Sequence, residues 1–330
     1  MSGFFFNISA LPALPDQPVG EYCPDNYKLC TEPPPFESQS FLCVAFLAPL
    51  FITIFDFSVQ LTNVFLIIFR KYQKKGPFFA MLLIMSGSIL IRCMSYFIST
   101  YFTVMKSDLS ELTLQISLYL EFCSGFFSEV IIFLMSLNRC LCFVSRTWNE
   151  RIFEGNRYLF AVFITLLLSI SATYFSIKTS EITRIYNDFA GFVNASYEIG
   201  WNTEIARIFY IFPIGATFSY LILFLHLKKQ SKLAFSKNSQ KGEQKVFTQL
   251  LITVVFYGMI SLVFEILTIF VVDLGQDFAV VCVISLNILN YMPEILLSLI
   301  FLTSSLDFCA RKTVIESKKL APKTSVTVLR

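Results

Sequence analysis

The sequence predicts an all-α membrane protein, a bundle of seven spanning helices with its N-terminus outside and its C-terminus inside. Three observations carry that expectation. The 330 residues are 55% hydrophobic, 16% aromatic and only 15% charged, with a mean hydropathy of +0.65; soluble domains carry about 25% charged residues. The apolar residues gather into seven runs, each about 20 residues or more and so able to cross a hydrocarbon core of about 30 Å. Basic residues are dense in every second connection between those runs and sparse in the others.

Residues 1–38 are polar, acidic and rich in proline, ending in Pro33-Pro34-Pro35. That composition predicts an extended, poorly ordered extracellular tail. It has no basic n-region, and Asn7, Ser9 and Pro12 break its apolar residues, so no cleavable signal peptide is expected and the first spanning helix serves as its own insertion signal. The bundle occupies 39–305, with helices at about 40–69, 77–105, 112–138, 158–177, 205–227, 246–272 and 278–303, and a cytoplasmic tail fills 306–330. Only Asp273-Leu274-Gly275-Gln276-Asp277 separates the sixth run from the seventh. A re-entrant pair is the alternative there, but two helices joined by a tight turn fit the lengths better. Pro49, Pro213 and Pro293 fall within helices one, five and seven, where proline bends a helix and frees a carbonyl, as a fixed bend or as a pivot.

Orientation follows from lysine and arginine, which favour the cytoplasmic side. Loops 70–76, 139–157 and 228–245 carry four, four and six of them, and 304–330 carries six. The alternate set, 1–38, 106–111, 178–204 and 273–277, carries one, one, two and none. Twenty against four places the N-terminus outside. The two glycosylation sequons, Asn7-Ile8-Ser9 and Asn194-Ala195-Ser196, fall on the side assigned as external. In the same N-terminal segment Cys23 and Cys30 are candidates for a disulfide.

Six ionisable residues lie well inside the spans, away from their ends: Asp56, Arg92, Glu121, Glu129, Glu265 and Glu294. A charge at the bilayer centre costs on the order of 3 kcal/mol, so such residues face the bundle and find partners. At about 1.5 Å per residue, Asp56 and Arg92 stand about 20 Å, and Glu121 about 25 Å, above the cytosolic boundary. Arg92 is therefore expected to pair with Asp56 or Glu121, either as a structural fastener or at the edge of a ligand cavity open to the outside. Glu129 and Glu294 come out at one depth, about 14 Å up, which suggests a shared proton or, as an alternative, a bound cation.

On the cytosolic face Asn138-Arg139 closes the third helix, with the guanidinium able to reach the interface and stay wet. Loop 228–245, KKQSKLAFSKNSQKGEQK, suits an acidic partner or anionic lipid headgroups. Ser304 or Ser305 is placed to cap a short amphipathic helix, on which Cys309 is a palmitoylation candidate. Catalysis finds no parts: His226 is the single histidine, no glycine-rich phosphate loop precedes a helix, and no HExxH occurs. Neither enzyme activity nor a cofactor or metal is expected, and the net charge of +3 gives no reason to expect nucleic acid.

With MSLNRCLCF ending helix three and NYMPEILLSLIFLTSS in helix seven, the chain resembles the nematode serpentine chemoreceptors, in the gamma superfamily and nearest to class xa or class x. The resemblance covers about residues 38–310. It implies a G-protein-coupled-receptor-like protein in the plasma membrane, in sensory neuron cilia, that senses a small environmental molecule or pheromone and engages a heterotrimeric G protein through Asn138 and Arg139. It also implies departures from rhodopsin-like receptors: Asn138 stands for Asp, Cys140 for Tyr, and the external disulfide has no cysteines to form it. A transporter or channel using the intramembrane carboxylates is the competing reading. The chain shows no internal repeat of the kind transporters carry, and an inverted channel of the insect type would reverse the loop charges.

Overall fold

The computed structural model describes residues 6–7, 36–69, 76–187, 191–196, 200–231, 258–259 and 291–302. In chain order these form β1 (Phe6–Asn7), α1 (Phe36–Phe69), α2 (Pro77–Val104), α3 (Ser110–Val144), α4 (Arg146–Phe153), α5 (Arg157–Thr179), β2 (Ile182–Asn187), β3 (Gly191–Ser196), α6 (Asn202–Phe209), α7 (Ile211–Ser231) and the short apolar helix α8 (Tyr291–Leu302). Among the described residues five segments are long and apolar enough to cross a membrane: Pro49–Phe69, Pro77–Val104, Ser110–Val144, Arg157–Thr179 and Asn202–His226. Their outward faces are lined with large apolar side chains, among them Phe51, Phe55, Phe65, Phe160, Phe163 and Phe218. Water would drive such residues inward, so this surface suits lipid rather than water as its solvent.

The chain makes α3 the axis of the bundle, touching α2, α4, α5, α6, α7 and β2. Its buried face carries small residues, Ser117, Ser124, Gly125, Ser128 and Ser136, which let neighbouring helices approach closely where lipid supplies no hydrophobic drive for association. At Gly215 of α7 any Cβ would stand 2.8 Å from the Phe133 ring of α3, so a larger residue at that crossing would have to move the ring. Pro77 opens α2 immediately after Gly76, the first-turn position where a missing N–H costs nothing. Two apolar layers fill the interior. One lies toward the α4 end, around Met81, Met85, Ile131, Met135, Phe153 and Tyr220. The other lies toward the hairpin end, around Leu118, Phe122, Phe126, Ile177, Ile182 and Phe209.

Several elements differ from the sequence expectation. The third helix runs to Val144 rather than stopping at 138, because Cys140–Val144 is itself apolar and nothing in it breaks a helix. The first helix begins at Phe36, directly after the three prolines, and takes in the last three residues of the expected tail. Helix five is two pieces, α6 and α7, broken at Tyr210, three residues before Pro213, whose ring and missing N–H interrupt the ladder. The expectation of an all-α protein needs one correction. Segment 178–204 holds an antiparallel hairpin, β2 with β3, to which β1 adds in parallel, in the order β1-β3-β2. Its alternating residues, Ile182, Arg184 and Tyr186 against Thr183 and Ile185, are β-branched or aromatic enough to favour extended chain. The hairpin is pinned at its base, where Trp201 and Asn202 backbone N–H groups donate to the Thr179 and Ser180 hydroxyls, each at 3.3 Å. Gly200 sits so close to the Thr179 carbonyl there that a Cβ would collide with backbone.

The sixth expected span, 246–272 apart from 258–259, and the first part of the seventh, 278–290, lie outside the described residues, as do loop 232–245 and the tail from 303.

Candidate functional site

Helical spacing builds the first half of the site. Asp56 and Gln60 stand one turn apart on α1, and Glu294 and Ser298 one turn apart on α8, so each pair shares a face. Gln60 Nε2 donates to Asp56 Oδ1 at 3.0 Å, and the Ser298 hydroxyl donates to Gln60 Oε1 at 2.9 Å. Arg92 of α2 closes the group: one guanidinium nitrogen donates to Asp56 Oδ2 at 3.1 Å and to Glu294 Oε2 at 2.7 Å. All three ionic side chains are at most 8% exposed, so each charge depends on the others in place of water. The guanidinium carbon also lies 4.7 Å from the centre of the Tyr291 ring, a cation–π contact.

Strand alternation builds the second half. Successive strand residues point to opposite faces, which turns Ile182 and Arg184 toward the bundle, 2% and 4% exposed. Ile182 joins the apolar layer of α3. Arg184 reaches past it and is held at three points. Its Nε donates to Asn194 Oδ1, directly opposite on β3, at 2.9 Å; one terminal nitrogen donates to the Ser117 hydroxyl at 2.9 Å, and the other to Glu121 Oε2 at 2.6 Å. Above this pair Phe192 of β3 sets its ring edge-on to Tyr96 of α2 at 5.1 Å and to Tyr186 at 5.5 Å.

Between the two clusters is a cavity lined by Thr53, Asp56, Arg92, Tyr96, Ser117, Glu121, Arg184 and Tyr291, together with Cys93 and Ser95. Its free volume is about 10 Å³, room for one water molecule. Three carboxylates (Asp56, Glu121, Glu294) meet two guanidiniums (Arg92, Arg184), so with all five ionised the site carries one net negative charge.

The structure distributes the sequence candidates unevenly. Arg92 pairs with Asp56, one of the two partners expected, and its second partner is Glu294 rather than Glu121. Glu121 has a cation of its own in Arg184. Glu294, expected at one depth with Glu129, accepts from the Arg92 guanidinium at 2.7 Å. Glu129 is buried in α3. Asn138 is 2% exposed, and its Nδ2 donates to Asn149 Oδ1 of α4 at 2.9 Å. It therefore fastens α4 to α3 instead of ending the helix. Arg139, expected to stay wet, is half-buried with its guanidinium carbon 4.2 Å from the Phe78 ring centre. In the two sequons Asn194 accepts the Arg184 bond, and Asn7 lies opposite Ser196 in the sheet. Glu265, Cys23, Cys30 and Cys309 lie outside the described residues.

Sequence reasoning missed Gln60, Ser298 and Arg184. The first two carried a signal, a polar residue one turn from an intramembrane acid, but they are uncharged and a search for charges passes over them. Arg184 stood in a segment read as a loop. Only its place in an apolar-alternating stretch could have marked it as inward-facing.

Compared with known proteins, the chain matches no family model and no curated protein.

Proposed function

We propose that this chain is a chemosensory receptor of the G-protein-coupled type, with seven spans and the N-terminus outside the plasma membrane. A small environmental ligand binds in the hairpin-end cavity. Signalling passes to a heterotrimeric G protein through the opposite end, around Arg139 and loop 228–245. The observation that carries this reading is the cavity itself. It lies where α1, α2, α3 and α8 converge, it is charged, and it is covered by a strand pair from the α5–α6 connection. Ligand binding there would bias the packing of helices that continue to the far end, shifting a population of bundle conformations. The competing reading, a transporter or channel, asks the carboxylates to pass ions. Asp56 and Glu294 are instead locked on one arginine, which supports the receptor reading.

Ligand-stimulated nucleotide exchange on a co-reconstituted G protein, lost in Arg139→Ala, is the expected result. Ion flux in liposomes without any G protein would replace the receptor with a channel. Topology has its own test: glycosidase should lower the mass of the wild type more than that of Ser196→Ala, which removes the Asn194 sequon and leaves the Asn194 side chain in place.

A further inference from the structure

Arg184 is unlike every other ionic member of the site, because it enters from the hairpin and not from a helix. Its guanidinium lies among Glu121, Ser117 and the Tyr96 side of the cavity, where a small charged ligand entering from the hairpin end would also arrive. With about 10 Å³ free, nothing larger than water enters until a side chain leaves. Arg92 is held by carboxylates from two helices. Arg184 pairs with one carboxylate, Glu121, and that carboxylate is the most exposed of the three, at 22%.

We propose that Arg184 is a tethered occupant of a site for small organic cations, and that ammonium or guanidinium ligands bind by displacing it from Glu121. This inference rests on reading the cavity as a ligand site, and it names the ligand class. Charge decides the sign. An anion that took Arg184 from Glu121 would bring a fourth negative charge to a site where three carboxylates already face two guanidiniums. A cation that took Glu121 from Arg184 leaves the charge count as it was, and one that bound beside Arg184 would bring it to zero. Unlike charges at such distances are worth several kcal/mol in a poorly hydrated site. The walls agree with the charge: Ser117 offers a hydroxyl acceptor, the Tyr291 ring already takes a cation on its face, Arg92 at 4.7 Å from its centre, and Tyr96 adds a second aromatic wall.

The test uses the purified full-length protein in detergent and reads its thermal unfolding against four probes of one length: butylguanidinium, butylammonium, 1-butanol and butyrate. Both cations are expected to raise the melting temperature saturably, with the alcohol and the carboxylate without effect. Glu121→Gln should weaken the cations by about tenfold or more, the scale of one charge-assisted contact. Arg184→Gln should strengthen them by a similar factor, because the competitor is gone. If Arg184→Gln does not fold, Arg184→Lys keeps the charge but loses the planar fork and should show a smaller gain. Stabilisation by butyrate in place of the cations overturns the proposal, as does equal cation affinity in wild type and Glu121→Gln. Because binding is read without a G protein, the two readings fail separately. Cations that bind without nucleotide exchange sink the receptor and leave the site, whereas butyrate that binds and triggers exchange does the reverse.

Discussion

The two arginines of the cavity solve the same problem in different ways. Arg92 rises from a helix and is clamped between acids of two other helices, within a connected set that runs from Ser298 through Gln60 and Asp56 to Glu294. Arg184 hangs from a hairpin and reaches one acid, one hydroxyl and one carboxamide. The first pairing ties α1, α2 and α8 together. The second ties a surface strand pair to α3. Where every partner sits on a helix of the bundle, the ion pair behaves as framework; where one partner arrives on a hairpin, it can serve as a latch.

That contrast is broken most sharply at Arg92. Arg92→Ala leaves Asp56 and Glu294 buried without a cation and should cost about 3–5 kcal/mol, the penalty for orphaning buried charge, read as a large fall in melting temperature or folded yield. Adding Asp56→Asn and Glu294→Gln to Arg92→Met removes the charges together and should recover most of that loss. If the triple variant is as poor as the single, the cluster is held by something other than charge. Arg184→Ala should cost less, about 2 kcal/mol for hydrogen bonds to charged groups. Its coupling to Glu121→Ala in a double-mutant cycle should be of similar size, and a loss equal to that of Arg92→Ala would erase the distinction between framework and latch. At the hairpin base, Gly200→Ala must push away the Thr179 backbone and the Ser180 hydroxyl and should cost about 1–3 kcal/mol, with proteolysis in 182–196 rising while the helices stay protected. The smallest effect belongs to Ser298→Ala, about 1 kcal/mol for one buried hydrogen bond, measured on the same unfolding curve.

The difference between the two arginines also explains what could be read in advance. Arg92 stood in a long apolar run, where a charge is conspicuous and has to find a partner, and neighbouring helices supplied candidates. Depth arithmetic brought Asp56 forward but set Glu294 too low. Rise per residue counts from a helix end that sequence locates only to a few residues, and a long arginine side chain spans the remainder. The same uncertainty ended the third helix at Asn138 and turned a buried asparagine, bonded to Asn149, into a supposed terminus. In segment 178–204 polar residues and short length concealed the strands.

Composition alone determined that this protein is built of apolar helices and which side chains would be costly to bury, because the price of a charge in hydrocarbon does not depend on its neighbours. Which charge meets which was decided by tertiary structure. Arg184 lies 63 positions from Glu121, and Arg92 lies 202 from Glu294. Partners so distant along the chain are chosen by helix crossings and by the direction a hairpin faces, and local sequence encodes neither.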